Sequence, residues 1–121
     1  MIVMARHNEI GKLGEEVAAQ YLMKKGYEII ERNWRNIHKE IDIIAKKGNE
    51  LVVVEVKTRQ SDEYGDPDLA VTRQKQSRLI SAANAYIFQK RLDVSTRFDI
   101  ISIVFQEEIP IINHIEDAFL P

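Results

Sequence analysis

The stretch EIDIIAKKGNELVVVEVK, residues 40–57, decides the fold that we expect for this chain. Two runs rich in isoleucine and valine, typical of β-strands, flank a polar segment with Gly48 and Asn49 at its centre. Gly-Asn is a favoured two-residue hairpin turn, because glycine accepts the positive φ that such turns require. With this pair as the turn, the strands form an antiparallel hairpin in which Asp42 faces Glu55.

The predicted hairpin has two unlike faces, because directly opposed residues of an antiparallel pair share one side of the sheet. One face is wholly aliphatic and consists of Ile41, Ile43, Ala45, Val52, Val54 and Val56. The other is aliphatic near the turn, at Ile44 and Val53, and charged away from it, at Glu40, Asp42, Glu55 and Lys57. Packing alone does not explain the charged half.

Asp42 and Glu55 form an unfavourable pair if they face each other, since two carboxylates repel and each loses hydration on burial. A divalent cation would remove the conflict, and Mg²⁺ commonly takes one or two carboxylates together with water and phosphate oxygens. Lys57, on the same face, could hold an attacking water or stabilise charge on a phosphate. The group therefore predicts metal-assisted hydrolysis of phosphodiester bonds.

The same residues also have a simpler interpretation. Glu-x-Lys is common in solvent-facing strands, because alternate residues there point to water. Glu40, opposite Lys57 in the predicted register, could form a surface ion pair with it, worth about 0–1 kcal/mol. A zinc site is not favoured, because His7, His38 and His114 are scattered and cysteine is absent.

Outward from the hairpin, hydrophobic spacing and capping signals predict the remaining elements. A helix is predicted at 8–25, with Asn8 as N-cap and Gly26 just beyond its end, followed by a strand at 27–32. After the hairpin come a turn-rich segment at 60–68, a helix at 71–90 with Thr72 as N-cap, and strands at 97–105 and 111–115. The order α-β-β-β-α-β-β predicts one α/β domain spanning residues 1–121, with helices flanking a mixed sheet that has a parallel crossover.

The composition is that of a globular protein. The chain has 121 residues, of which 45% are hydrophobic and 30% charged, so it can bury a core. No apolar run is long enough to cross a bilayer and no signal-peptide pattern begins the chain, so we expect a cytoplasmic protein with no membrane partner. The lack of cysteine excludes disulfides and thiolate metal sites.

Charge is unevenly distributed along the chain. The net charge is −2 and the pI about 5.9, which argues against a general, sequence-independent binder of polyanions. Residues 72–97 contain six basic residues and one acidic residue, whereas residues 106–121 contain four acidic residues and no lysine or arginine. The middle of the chain could present a basic face to nucleic acid, or simply carry the solvated charges of a surface helix.

Asp42, followed thirteen residues later by Glu55-Val56-Lys57, resembles the motif of the PD-(D/E)XK nuclease superfamily. More specifically, the chain is similar to the YraN-type bacterial family of predicted endonucleases, which is distantly related to archaeal Holliday junction resolvases. The similarity covers about residues 8–105 and is carried by Gly11-Lys12-Leu13-Gly14-Glu15-Glu16-Val17-Ala18, Gly26-Tyr27, Arg32-Asn33-Trp34-Arg35, Glu40-Ile41-Asp42-Ile43-Ile44-Ala45, Val53-Val54-Glu55-Val56-Lys57-Thr58-Arg59, and Ala70-Val71-Thr72 with Lys75. Two positions depart from the family pattern: Ile41 stands where the superfamily has proline, and Lys39 where a glycine is expected.

The resemblance implies a restriction-endonuclease-like (resolvase-like) core and a Mg²⁺ or Mn²⁺ cofactor. The implied metal ligands are Asp42, Glu55, the Val56 carbonyl and Glu15 of the first helix. Lys57 would be the catalytic lysine. Helical projection places Glu15 at the edge of the apolar stripe, which suits a residue that reaches the site as well as an ordinary boundary glutamate.

The implied substrate is nucleic acid, structured or branched DNA rather than RNA, and a homodimer would supply two cuts by symmetry. Lys75, Arg59 and Arg35 are candidate contacts to phosphate, although each could be a plain exposed base. Trp34 could stack on a base or pack in the core. Two other functions stay open: a non-catalytic nucleic-acid-binding or assembly module on a nuclease scaffold, and an interaction protein that uses its acidic tail at 107–117.

Overall fold

The computed structural model describes residues 2–60, 71–106 and 108–121. Helix α1 spans Ile2–Lys24 and helix α2 spans Arg73–Lys90. The strands are β1 Glu28–Asn36, β2 Lys39–Lys47, β3 Glu50–Arg59, β4 Ser95–Val104 and β5 Ile111–Phe119. The order is α-β-β-β-α-β-β, as predicted. The turn-rich segment predicted at 60–68 lies outside the described residues after Gln60.

The five strands form one sheet in the spatial order β1-β2-β3-β4-β5. Neighbouring strands run antiparallel, except that β3 and β4 pair in parallel from Glu50–Ser95 to Arg59–Val104. The parallel pair follows from the intervening helix, because a helical crossover returns the chain to the end at which β3 began. The predicted mixed sheet is therefore confirmed.

The two helices cover opposite faces of the sheet, since successive strand residues point to opposite sides. Under α1, Ala18, Ala19 and Leu22 pack against a layer that includes Val52, Val54, Ile101 and Ile103. Under α2, Ala82, Ala83 and Tyr86 pack against Ile44, Leu51, Val53 and Phe98. Neither described helix is both long enough and apolar enough to span a membrane.

Helix α1 ends where the sequence predicts but begins earlier. Gly26 has φ +90°, and the N–H of Tyr27 donates to the Leu22 carbonyl at 2.9 Å, which is the geometry of a Schellman C-cap. The predicted N-cap is wrong: Asn8 lies inside the helix, which begins at Ile2. Residues 2–7 contain no glycine or proline, so nothing in their propensities stops the helix at Asn8.

The β2–β3 hairpin has the predicted turn and, over most of its length, the predicted register. Gly48 adopts φ +61° in the two-residue turn. The pairs run from Lys47–Glu50, next to the turn, to Ile43–Val54. Because a shift of one residue would turn every side chain to the other face, this register decides which carboxylates share a side.

The predicted pairing is wrong beyond Val54, where the recorded ladder ends. Ile41 packs in the layer under α2 with Ile44, not with Ile43 under α1, so β2 changes face between Ile41 and Ile43. The predicted aliphatic face therefore loses Ile41. Asp42 lies at the point of this change, and its side-chain Oδ2 accepts the backbone N–H of Val56 at 2.9 Å.

A buried ionic network joins β4 to β5 on the α1 side. Asp99 is 1% exposed; it accepts two hydrogen bonds from Arg97, at 2.8 and 2.9 Å, and one from the Asp117 N–H at 3.0 Å. His114 Nε2 lies 2.7 Å from the same carboxylate. Burial opposes ionisation of Asp99, but the bonds from His114 and Arg97 outweigh it and lower its pKa. Arg97 is therefore held internally and does not contribute to a basic surface.

Candidate functional site

A cavity of about 770 Å³ opens where the charged half of the hairpin meets both helices. Its size is within the range typical of ligand pockets. Six of the residues singled out from the sequence line it together: Glu15, Asp42, Glu55, Val56, Lys57 and Lys75. The hairpin supplies four of them, α1 supplies Glu15 and the first turn of α2 supplies Lys75.

Asp42 is a partly buried acid held by its hydrogen bond from the Val56 N–H. Burial, reinforced by the nearby Glu55 carboxylate, raises the pKa of Asp42 to about 8, and the Val56 bond offsets only part of that rise. At neutral pH this carboxyl therefore retains a proton. The two acids predicted to share a site do so, and burial and their mutual repulsion both favour the protonated form of Asp42.

Glu55 is 7% exposed and is neutralised by two lysines. Its Oε2 lies 2.9 Å from Lys75 Nζ and 3.5 Å from Lys57 Nζ. Lys75 reaches this oxygen because Thr72, the predicted and observed N-cap, accepts the Lys75 N–H at 3.2 Å and so begins α2 beside the cavity. The two ammonium groups supply the positive charge that a buried carboxylate requires.

The two lysines are shifted in opposite directions. Burial, together with the adjacent Lys75 ammonium, lowers the pKa of Lys57 despite the attraction of Glu55. Burial would also lower the pKa of Lys75, but its contacts with Lys57 and Glu55 outweigh that cost and raise it. Lys57 is therefore the amine that gives up a proton first, and Lys75 is the more persistent cation.

Glu15 reaches the cavity because α1 lies unusually close to β3 at the preceding residue. A Cβ on Gly14 would collide with the side chain of Thr58, the residue after Lys57. The carboxylate of Glu15 adds a smaller contribution to the raised pKa of Asp42. Gly11 of the same helix has no atom within 4 Å of a Cβ placed there, so only the packing of α1 on β3 shows which glycine marks a close approach.

Two candidate nucleic-acid contacts, Arg35 and Arg59, are not among the described residues that line the cavity. The Arg35 side chain is 72% exposed, and its Nη2 lies 3.5 Å from Glu40 Oε1 across the β1–β2 pair. The suggested ion pair between Glu40 and Lys57 is wrong, because Glu40 pairs with Arg35 and Lys57 lies beside Glu55. Arg59 is partly buried on β3, beyond Lys57.

Trp34 belongs to the core layer under α2. Its ring meets Tyr86 edge-on, with the ring centroids 5.2 Å apart. Edge-to-face packing of this kind is a favoured aromatic contact. The core-packing interpretation of Trp34 is therefore the one the structure supports.

Sequence reasoning missed the polar face that α2 turns toward the cavity. Gln74, Ser77, Arg78 and Ser81 all line it. They recur at spacings of three and four residues, which places them on one helical face. This periodicity was visible in the sequence, but only the position of α2 beside the hairpin gives it meaning.

The cavity's oxygen donors suit a hard divalent cation in number and type. Asp42 and Glu55 offer carboxyl oxygens, and strand geometry is expected to turn the Val56 C=O to the same side as its N–H, which meets Asp42. Mg²⁺ sites commonly use one or two carboxylates with waters completing the shell. Within residues 2–60, 71–106 and 108–121, no three acidic or histidine side chains converge as a metal group.

Comparison with known proteins agrees with the family resemblance. The model of the family described as "Uncharacterised protein family UPF0102" matches residues 14–103. A UPF0102 protein of Phocaeicola vulgatus is 50% identical over 118 residues, covering 98% of both chains, and one of Christiangramia forsetii is 49% identical over 116 residues, covering 96% of this chain and 98% of its own. A UPF0102 protein of Bacteroides thetaiotaomicron is 48% identical over 118 residues, covering 98% of both chains. The family match spans well over half of this sequence and the relatives align almost end to end, so the chain belongs to the UPF0102 family, the YraN-type family.

Proposed function

We propose that this protein is a metal-dependent endonuclease of the PD-(D/E)XK type that hydrolyses phosphodiester bonds in nucleic acid, structured or branched DNA in particular. One observation carries the proposal: the partly buried carboxyl of Asp42 and the buried carboxyl of Glu55, from adjacent strands, share a cavity with Lys57. Burial, and then the nearby Glu55 carboxylate, raises the pKa of Asp42 to about 8, so ionisation of this acid is unfavourable in the folded chain. Costly acid pairs of this kind are concentrated at functional sites.

In the proposed site, Asp42, Glu55 and the Val56 carbonyl would hold Mg²⁺ or Mn²⁺, and Glu15, which lines the same cavity, would be a further ligand. The cation supplies positive charge for the phosphate and lowers the pKa of a bound water. Lys57, whose own pKa is lowered, takes up or positions the proton of the attacking water. The enclosing helices restrict water and so strengthen these electrostatic contacts.

Lys75 has a second task in this proposal. Its ammonium neutralises Glu55 at 2.9 Å when the cavity holds no cation. At the first turn of α2 it also stands where backbone N–H groups favour anions. Once released from Glu55, Lys75 can bind a phosphate of the substrate, with Arg78 three residues further along the same cavity wall.

A second candidate function is a non-catalytic module that binds nucleic acid, and the contacts of the two lysines with Glu55 favour it. Two ammonium groups already neutralise Glu55 without any metal. In a non-catalytic module, Glu55 would serve only to position Lys57 and Lys75 for phosphate binding. This alternative predicts binding without cleavage and no specific divalent cation site.

The deciding experiment offers the purified protein labelled duplex DNA, single-stranded DNA, a four-way DNA junction and structured RNA, each with Mg²⁺, with Mn²⁺ and with EDTA. We expect cleavage only with the cations, and its loss in Asp42→Asn, Glu55→Gln and Lys57→Met. Lys90→Met, a lysine substitution on the same helix as Lys75 but outside the cavity lining, serves as the matched control and should cleave normally. Binding on any substrate without cleavage would favour the module.

The proposed homodimer is tested separately by sedimentation of the protein alone and with the junction. Two protomers per junction and paired cuts would support two symmetric sites. One protomer per junction with single cuts would leave the endonuclease in place but remove the dimer.

A further inference from the structure

The turn between β1 and β2 contains an isoleucine in a conformation that suits glycine or asparagine. Ile37 has φ +57° and is 86% exposed. A positive φ crowds the Cβ of any L-residue, and branching at Cβ makes the crowding worse. Of the described non-glycine residues with positive φ, which are Asn33, Ile37, Arg91 and Asp117, only Ile37 is apolar.

Neither packing nor turn chemistry accounts for this residue. An 86% exposed side chain gains little from burial, and Gly48 in the neighbouring β2–β3 turn shows the usual solution, with φ +61°. The backbone strain at Ile37 costs stability, and the exposed side chain recovers almost none of it through burial. Strain that the fold does not need is a pointer to function.

The surroundings of Ile37 indicate what its side chain meets. The next two residues, His38 and Lys39, line the cavity that holds Asp42, so the tip of the turn stands at the cavity rim. Arg35, two residues before the tip, has a 72% exposed side chain whose Nη2 lies 3.5 Å from Glu40 Oε1, a long, exposed contact that a phosphate could replace. DNA carries phosphates on its outside and stacked, largely apolar bases inside. An apolar tip between basic residues is complementary to that arrangement.

We propose that Ile37 is a wedge that enters the base stack of the DNA, while Arg35 and Lys39 contact the flanking phosphates. Isoleucine and similar side chains are used in this way to part adjacent bases and kink a duplex. The cost of unstacking is lowest where bases are unpaired or weakly stacked, so the wedge selects junctions, bulges and other branched DNA over continuous duplex. This inference rests on the proposed function and names the substrate class of that site.

The first test replaces Ile37, the strained residue, and measures both stability and DNA binding. Ile37→Asn keeps a residue that tolerates positive φ but removes the wedge, so it should raise Tm by roughly 3–6 °C. It should also weaken binding to a four-way junction on the order of tenfold, with a smaller effect on continuous duplex. Ile109→Asn, another exposed isoleucine outside the cavity lining, is the matched control and should leave binding unchanged.

Insertion of Ile37 between bases is measured by the fluorescence of 2-aminopurine placed at the branch point of a DNA junction, in buffers with Ca²⁺ and with EDTA. The wild-type protein should increase the fluorescence of the base, because unstacking relieves its quenching, and Ile37→Asn should not. Equal junction affinity of the variant and the wild type, or an unchanged fluorescence with the wild type, would overturn the wedge. A change in oligomeric state with unchanged DNA binding would also overturn it and would assign Ile37 to a protein contact.

The outcomes separate the two proposals. If the wild-type protein binds none of the DNA substrates, the proposed function fails and the wedge fails with it. If the wild type binds and cleaves but Ile37→Asn behaves identically, the endonuclease stands and only the wedge is rejected.

Discussion

The backbone N–H of Val56 donates a 2.9 Å hydrogen bond to Oδ2 of Asp42, so a side chain replaces a backbone acceptor where the β2–β3 ladder ends. The bond gives the Asp42 carboxyl a fixed direction from the rim of the sheet into the cavity. Beside this bond β2 changes face, so that Ile41 lies under α2 while Ile43 lies under α1. The bond therefore orients the most perturbed acid of the cavity at the point where the regular hairpin ends.

Stability should depend on pH through Asp42. Its pKa is about 8 in the folded chain against 3.8 for an ordinary aspartate, so between those values the unfolded state loses a proton that the folded state keeps. The contribution of Asp42 to stability is therefore fully present below about pH 4 and is lost as pH rises toward 8. Asp42→Asn should remove this dependence, and at pH 8 it should be more stable than the wild type by several kcal/mol. Urea unfolding of both proteins at pH 5, 6.5 and 8 measures the difference; parallel pH profiles would contradict the prediction.

Removal of Lys75 should tighten cation binding. The Lys75 ammonium lies 2.9 Å from Glu55 Oε2 and competes for the oxygen that a metal would use. Lys75→Met should raise Mn²⁺ affinity roughly tenfold, because one close positive charge is gone. Arg73→Met removes an exposed charge from the same helical turn and should change the affinity by less than about twofold. Calorimetric titration with Mn²⁺ measures both, and equal effects of the two variants would show that Lys75 does not compete for the site.

Gly14→Ala should destabilise the protein and disturb the cavity together. The added methyl group would strike the Thr58 side chain, so α1 must move away from β3 and carry Glu15 with it. Overpacking of this kind costs about 1–3 kcal/mol. Gly11→Ala is the control, because no atom lies within 4 Å of a Cβ placed there, and it should be neutral or slightly stabilising. Thermal unfolding and Mn²⁺ titration of the two variants should separate them; similar Tm values would refute the close contact.

Asp99→Ala should unfold the protein far more readily without acting through the cavity. The substitution leaves the Arg97 guanidinium and His114 without the buried carboxylate that both contact at 2.7–2.9 Å. Breaking a buried ion pair from one side costs about 3–5 kcal/mol. Glu108→Ala, which removes an exposed acid near the start of β5, should cost less than about 0.5 kcal/mol. Denaturant midpoints test this, and a small loss for Asp99→Ala would mean that Arg97 and His114 find other partners.

The sequence alone determined the framework of the fold, because the responsible signals are local. Three such signals depend only on residues close by in the sequence, and all three are present: the turn at Gly48, the C-cap at Gly26 and the N-cap at Thr72. Alternation of aliphatic residues then specified the register from Lys47–Glu50 outward, since a one-residue slip would expose the core. The same register predicted that Asp42 and Glu55 would share a site.

Only the tertiary structure decided how that site is completed. Two features join segments that are far apart in sequence: α1 approaches β3 at Gly14, and Lys75 forms a salt bridge with Glu55. A third feature, the positive φ of Ile37, is a local backbone geometry that the sequence pattern does not predict. Sequence patterns report which side of its own element a residue occupies, not which element packs beside it. Packing of two helices against opposite faces of one sheet supplies that second piece of information, and with it the surroundings that raise the pKa of Asp42 and lower that of Lys57.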